Sequence, residues 1–435
     1  MKTLDQIAAE LQGYDPQALS AAQVNEFLTR MVQPVQGTEA VALFQALGRV
    51  LAEDIVSPLN VPPHDNSAMD GFAFAGSALQ TGQALVLKVV GTALAGKAWQ
   101  GSVQAGECVK IMTGAVMPAG LDTVVPQELV SVRKSEGGDF VTLPPQGLQT
   151  GDNRRLTGED IRQGSLALAR GEKLGPAALG LVASLGLDKV TVFQRLKVAY
   201  FSTGDEILSM HEAPREGAVY DSNRYTVFGL LTRLGIEVVD LGLVRDEPAL
   251  LEAAFKAAAA QAHAIITSGG VSVGEADHTR AMMKQLAGTT GGVAFWRIAM
   301  RPGRPMAVGR IEKPGSAQGA VLFGLPGNPV AVMVTFLAFV RPALLQMMGC
   351  RPVPQPYLKA VSLEPVRKKA GRTEYQRGIV STQADGSLQV RITGNQGSGV
   401  LSSMVQANGL IVLHHNQGHV VAGDLVDVMV FDGVI

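Results

Sequence analysis

Acidic and basic side chains recur just after apolar runs in the middle of the chain, and their types limit the chemistry they can do. The stretch 202-STGDEI-207 carries Glu206, and 244-VRDEP-248 carries Asp246. The stretch 268-SGGVSVGEADH-278 opens with Ser268, Gly269, Gly270 and Ser272 and then delivers Glu275, Asp277 and His278. Further on, 300-MRPGRP-305 supplies Arg301 and Arg304, and 324-GLPGNP-329 makes a proline-glycine turn. Singly, each has a plain explanation. Asp246 can cap a helix that starts at Pro248. Glu275 and Asp277 can favour a helix's first turn through the dipole. The glycine pair matches neither dinucleotide nor Walker spacing, and the arginines can be solvated loop cations. Together they describe a phosphate site that holds a hard divalent cation. Mg²⁺ is bound by one or two carboxylates together with substrate phosphates, so acids beside an anion cradle do not conflict. Helix amino ends would add backbone N–H donors. His278 has no second histidine at metal spacing and reads as structural.

Such loops need a scaffold that gathers them. From about 194 to 347 the chain alternates strand and helix: LKVAYFSTG, NRYTVFGLLTRLG, IEVVDLGLV, EPALLEAAFKAAAAQA and HAIITSGG. A helix follows near 276–287, then the runs AFWRIAM, PMAVG and VLFGLPG and a long apolar helix from Pro329 to about Met348. This rhythm predicts a doubly wound, mostly parallel sheet covered on both faces, with ligands beyond the carboxyl ends of its strands. The flanking textures differ. Residues 1–54 read as short helices, with Leu43, Leu47 and Leu51 four apart, and 151–193 bring helix back through AALGLVASLG, with Gly186 as its stop. Together these make a discontinuous helical linker domain. Residues 55–150 are short β-like runs between Gly and Pro and predict a β-rich insert. Residues 350–435, entered through RPVPQP, predict a small β-barrel or sandwich. Two stretches outside the α/β section also stand out. In 62-PPHDNSAMDGFAF-74, Asp65 and Asp70 flank small polar residues, and in 152-DNRRLTGEDI-161 paired arginines sit close to Glu159 and Asp160. Each reads equally well as an ordinary turn with solvated charges.

Composition removes several function classes. The chain has 435 residues, 46% hydrophobic and 17% charged, enough for two to four domains. Lys plus Arg number 37 against 38 for Asp plus Glu, so no nucleic acid or membrane partner is expected and anion binding must be local. Cys108 and Cys350 have no metal or redox spacing, which points to a reducing cytoplasm. The amino end, MKTLDQIAAELQGYD, lacks the pattern of a signal peptide. The apolar run from Val330 stops at Arg341-Pro342 after eleven residues, too short to span a bilayer.

The segments DNSAMDG, KIMTGA, RxxGEDI, STGDE, SGGVSVGEADH, RPGRP, GLPGNP and GNQGS occur in the order seen in the molybdopterin molybdenumtransferase family, the bacterial MoeA group related to the carboxyl-terminal half of gephyrin. The resemblance runs from about residue 10 to the end. It implies an elongated, cytoplasmic homodimer of four-domain chains. It further implies an enzyme that takes adenylylated molybdopterin and molybdate and inserts molybdenum into the dithiolene, releasing AMP with Mg²⁺. A molybdopterin adenylyltransferase would be the partner that supplies substrate. Carried over by motif, Asp65, Thr113, Asp160, Glu206, Asp246 and Asp277 match active-site positions. Asp246 and Asp277, with Glu206, are the cation-binding acids. Arg155, Arg297, Arg301, Arg304, Arg377 and Ser398 match anion-binding positions, Ser268, Gly269, Gly270 and Ser272 form the phosphate turn, and Pro326 and Pro329 shape the pocket. Loops of the β-rich insert, Asp65 among them, and of the last domain would complete a pocket on the partner's α/β domain. The family commonly has lysine where this chain has Arg297, Arg301 and Arg304. Arginine keeps the charge and adds a planar fork suited to phosphate or molybdate. Arg154 stands where an apolar residue is usual. The alternatives are a molybdopterin adenylyltransferase, normally a single α/β domain, a nucleotide-processing hydrolase with a related domain, and a non-catalytic, gephyrin-like scaffold.

Overall fold

The alternating runs of the α/β section fold as their periodicity requires in a computed structural model that describes residues 2–271, 278–287, 292–313 and 316–431. Strands Glu237–Val244, Lys197–Thr203, Ala264–Ser268 and Ser316–Leu325 lie side by side and parallel. Pro305–Lys313 follows antiparallel, and Val293–Arg297 pairs antiparallel to it, so this last strand runs with the parallel four. Ala264–Ser268 is buried throughout, as a strand covered on both faces must be. Alternate residues serve alternate layers. Val198, Tyr200 and Ile266 pack with Val227 and Leu231 of helix Ser222–Leu234. Ala199, Phe201 and Ile265 pack with Leu251 and Phe255 of helix Pro248–Gln261. Asp221 caps the first helix by accepting from the Arg224 N–H at 3.1 Å, and Gly235, at φ 83°, ends it.

The long apolar helix forms over the expected span. Pro329–Thr335, Phe336–Val340 and Arg341–Met347 form one continuous run, its middle segment π-helical. The wider π turn lets the chain pass Pro342, whose ring would clash inside a regular helix. At 19 residues it is long and apolar enough to cross a membrane by length and composition, correcting the eleven-residue estimate. With 72% of it buried among the sheet and neighbouring helices, it is a core helix.

Helices Leu4–Glu10 and Ala21–Met31 form where expected, each closed by a capping box, Thr3 with Gln6 and Ser20 with Gln23. No helix runs through Leu43, Leu47 and Leu51. Instead Thr38–Ala42 pairs antiparallel with Lys189–Phe193, and Leu43–Gln45 makes a single 3₁₀ turn. Gly48 sits at φ 74°, which breaks a helix, and Leu47 is 55% exposed while Leu51 is fully buried, so the three leucines share no face. Helix Pro176–Ser184 ends before Gly186, also at φ 74°.

The insert is β-rich. Its six strands lie in the order Thr123–Pro126, Gly71–Phe74, Glu107–Ile111, Leu85–Ala93, Gly138–Leu143, Ser131–Ser135. In the last section Thr373–Thr382, Leu388–Ile392, Leu358–Ser362, Leu425–Val430 and Gly409–Leu413 pair in turn, and the fifth returns to the first. That closure selects a barrel over a sandwich. The two-residue strand Met300–Arg301 leaves the α/β domain and pairs with Thr373 and Glu374, tying the RPGRP loop to the barrel.

Candidate active site

The carboxyl ends of the parallel strands and of Val293–Arg297 emerge on one edge, and a cleft of about 980 Å³ lies there. Into it the structure brings Glu206, Ser268, Gly269, Gly270, Arg301, Arg304, Pro326, Pro329 and Ser398. These come from five loops far apart in sequence, and Ser398 comes from the barrel domain. Asn328 donates its side-chain amide to Ser398 Oγ at 3.0 Å, and the Val330 N–H donates to the Ser398 carbonyl at 3.1 Å, so the barrel loop is pinned to the GLPGNP turn.

Asp246 lies beside this cleft and does not cap the helix, because Glu247 occupies the cap position. Its Oδ1 accepts from Thr279 Oγ1 at 3.0 Å. Thr279 is fully buried and packs under Gly270, where an added Cβ would meet its Cβ at 2.4 Å. Gly269 and Gly270 take φ of 93° and 64°. The Gly269 N–H donates to the Leu325 carbonyl at 3.1 Å, and a Cβ there would meet the Thr203 carbonyl oxygen at 2.3 Å. The pair is therefore needed to turn the chain between two neighbours, and Gly269 offers no N–H to a phosphate. Ser272, Glu275 and Asp277 lie outside the described residues.

Arg304 also borders a smaller recess of about 240 Å³, shared with Arg297, Arg280 and Phe295. Arg280 lies over the Phe295 ring, 4.4 Å from its centroid. Arg297 thus sits beside the main cleft and does not line it.

Arg377 departs from its anticipated place on the anion. Its side chain is 1% exposed. Nε donates to Ser403 Oγ at 2.9 Å, and Nη2 donates to the carbonyls of Gly397 at 2.9 Å and Asn395 at 3.2 Å. Burial, and then the neighbouring Arg301, push its pKa down to about 10, which still leaves it charged at neutral pH. Arg377 shapes the loop that carries Ser398. Arg372 is the barrel arginine that lines the cleft, and sequence reasoning missed it. The buried Glu374 carboxylate holds its guanidinium, accepting from Nε at 2.7 Å and Nη2 at 2.6 Å. No local pattern marks Arg372, since Thr373, Glu374 and Tyr375 are all buried and burial at the start of this strand does not alternate.

A second cluster forms where the insert meets the linker domain, and none of it lines the cleft of its own chain. Strand Asn66–Ser67 pairs with Arg154–Arg155. Asp65 Oδ1 accepts from the N–H and hydroxyl of Thr157, both at 2.8 Å, and Arg154 stands 3.6 Å from Oδ2. Those two bonds, more than the arginine, hold the Asp65 carboxyl below its ordinary pKa. Arg154, the unusual residue of its motif, therefore has a carboxylate partner, while Arg155 is exposed. Thr113 plays the matching part for Asp70, its N–H and hydroxyl each donating to Oδ1 at 2.7 Å. Asp160 is exposed, and its N–H donates to the Val61 carbonyl at 3.0 Å.

No group of three or more His, Cys, Asp or Glu that could hold a metal occurs among the described residues. The donors beside the cleft, the carboxylates of Asp246 and Glu206, fit a Mg²⁺ that takes its remaining ligands from water and substrate phosphate.

Comparison with known proteins accounts for nearly the whole chain. Residues 19–186 match the family described as MoeA N-terminal region (domain I and II), 199–346 match probable molybdopterin binding domain, and 359–431 match MoeA C-terminal region (domain IV). A molybdopterin molybdenumtransferase of Haemophilus influenzae is 41% identical over 94% of this chain and 98% of its own. One of Bacillus subtilis is 34% identical over 86% of each. Among solved structures, a molybdopterin biosynthesis moeA protein of Pyrococcus horikoshii superposes with a TM-score of 0.78 at 25% identity, covering 95% of this chain and all of that one. The chain belongs to the molybdopterin molybdenumtransferase family.

Proposed function

We propose that the cleft binds adenylylated molybdopterin and molybdate and inserts molybdenum into the dithiolene as AMP leaves. The transferase role in molybdenum cofactor biosynthesis follows from family membership. The observation that carries the finer reading is the meeting of Arg301, Arg304 and Arg372 with Glu206 at the carboxyl end of one parallel sheet, with Asp246 alongside. Three guanidinium groups suit phosphate and molybdate oxygens, each offering paired N–H donors. Glu374 fixes the angle of Arg372 before an anion arrives, which lowers the cost of ordering it on binding. Holding molybdate beside the dithiolene sulfurs converts an encounter between two solutes into a reaction within one complex. Asp246 and Glu206, and Asp277, are the residues that would hold Mg²⁺. That ion, when bound, would offset the charge that grows on the phosphates as the phosphoanhydride joining molybdopterin phosphate to AMP is cleaved.

The same reading extends to assembly and setting. Because the Asp65 and Asp70 cluster lies apart from its own cleft, we assign it to a second copy's cleft in a homodimer, with Asp65, Thr113, Arg155 and Asp160 acting there. Phe44, fully exposed, and Leu47 are apolar surface that this single chain leaves uncovered. Both cysteines are free thiols, which suits the cytoplasm. An adenylyltransferase would supply the substrate.

The test is Asp246→Asn, assayed with purified adenylylated molybdopterin, molybdate and MgCl₂ for AMP release and molybdenum content. Loss of about 100-fold in both is expected if the carboxylate stabilises developing charge. Full retention of both activities removes Asp246 from the chemistry. Asp277→Asn is judged by the same assay.

A further inference from the structure

At the cleft floor Ser268, of the phosphate turn, meets two further hydroxyls, those of Tyr200 and Ser202. Tyr200 and Ser202 are two apart in strand Lys197–Thr203 and share a face, and Ser202 stands opposite Ser268 of the neighbouring parallel strand. All three are buried, with exposures of 1%, 2% and 3%. Tyr200 Oη is 2.6 Å from Ser268 Oγ and 2.8 Å from Ser202 Oγ, while the two serines are 3.3 Å apart. Both serines line the cleft, and the tyrosine lies behind them.

Counting protons gives this triangle a direction. Each hydroxyl has one proton to donate and lone pairs to accept with. A buried phenol that donates to nothing pays the full cost of desolvating its O–H, so Tyr200 must donate to one of the serines. Taking the shorter contact, at 2.6 Å, as the one along which the phenol donates makes Ser268 the acceptor. Ser202 then donates to Tyr200 Oη at 2.8 Å. Ser268 cannot return its proton along a bond it already accepts, and its only other neighbour of the three is the long contact to Ser202. Its proton is left to point into the cleft. Burial, chiefly, raises the phenol's pKa, so Tyr200 keeps a proton to donate at neutral pH.

We propose that Tyr200 is a positioning residue that turns Ser268 into a one-way hydrogen-bond donor on the cleft floor, reserved for an anionic oxygen of the substrate. A serine without such a neighbour can rotate to donate or accept. Ser268, held by Tyr200, favours phosphate or molybdate oxygen over a ligand amine. The proposal rests on the phosphate-site reading of the cleft and names the residue behind its selectivity.

The experiment is a double-mutant cycle on the full chain, reading pyrophosphate affinity by titration calorimetry in MgCl₂, with melting temperatures recorded alongside. A hydrogen bond to a charged group implies that Ser268→Ala weakens binding about tenfold or more. Tyr200→Phe should weaken it about threefold to tenfold by freeing Ser268 to rotate. Because Tyr200 acts only through Ser268, the double variant should bind no more weakly than Ser268→Ala alone. In turnover the same pattern should fall on KM and leave kcat unchanged. Tyr200→Leu removes the O–H by a second route should the phenylalanine variant fold poorly. Additive losses in the double variant, or full affinity in both Tyr200 variants, overturn the role of Tyr200 alone. A wild-type chain that does not bind pyrophosphate at all overturns the phosphate-site reading beneath it.

Discussion

Arg372, just before strand Thr373–Thr382, and Arg377, within it, have different work, and substitution separates them. Arg377→Met removes three donors from a buried loop and leaves the Ser403 hydroxyl and two carbonyls without them. A loss of about 1–3 kcal/mol in a denaturant titration is expected from such orphaned groups. Arg372→Met also costs stability, because it leaves the buried Glu374 carboxylate with only the Gln376 amide, and it should in addition raise KM for the adenylylated substrate. An Arg372→Met chain with unchanged KM, or an Arg377→Met chain whose KM rises as much, would contradict the division. Gly269→Ala belongs to the same scale, with a residue forced to φ 93° and a Cβ against the Thr203 carbonyl. It should cost about 1–3 kcal/mol, read as a fall in melting temperature, even without substrate. At this scale the sequence discloses chemical type well and direction poorly. Glu206, Arg301 and Arg304 line the cleft as their loops suggested, because a loop after a parallel strand has one place to go. The burial of Arg377 was not legible because its partners, Asn395 and Gly397, lie in a loop whose fold against the barrel strand no local pattern reveals.

Between residue and domain, the DNSAMDG loop is built from two repeated staples, an aspartate taking both the N–H and the hydroxyl of a threonine. Asp65 takes Thr157, 92 residues on, and Asp70 takes Thr113, 43 residues on. The loop's shape was legible in its small polar residues, but partners so distant were not. Both carboxyls are held below the ordinary value of 3.8, in each case first by the threonine N–H. A depressed carboxyl contributes stability that is complete above its ordinary pKa and is lost as pH falls through the depressed value. Melting of the insert should therefore be steady from about pH 7 to 5 and fall below pH 3.8. Asp70→Asn should lower the plateau and flatten the acid fall, because the amide does not titrate. An unchanged acid slope in this variant would show that the staple does not govern it. The 38–51 segment was illegible for another reason. Its leucines repeat at helical spacing, yet pairing with Lys189–Phe193 overrides that pattern, and only Gly48 hinted at the break.

Across the whole molecule, burial divides the chain less evenly than the domain map does. One core runs from Leu4 and Phe27 of the first helices, through Tyr200, Phe323 and the Pro329–Met347 helix, to Tyr375, Leu410 and Met429 of the barrel. Linked by a common core, these regions should unfold together, since exposing any one face strips apolar cover from the next. The β-rich insert is different. Its clusters, one around Val109 and Ile111 and another around Phe74 and Leu87, contain residues of the insert and the turn that closes it. The insert can therefore open while the body that carries the cleft stays folded. Calorimetry should resolve two transitions, and hydrogen exchange should assign one of them to residues of the insert. Ile111→Ala, which removes a fully buried side chain, should cost about 2–5 kcal/mol and lower that transition alone. Leu410→Ala, in the shared core, should lower the other and with it the protection of both the helical start and the α/β sheet. If Ile111→Ala shifts every probe equally, the insert and body form one cooperative unit. In that case the Asp65 cluster would be held rigidly by its own chain, with no independent movement toward a second copy's cleft.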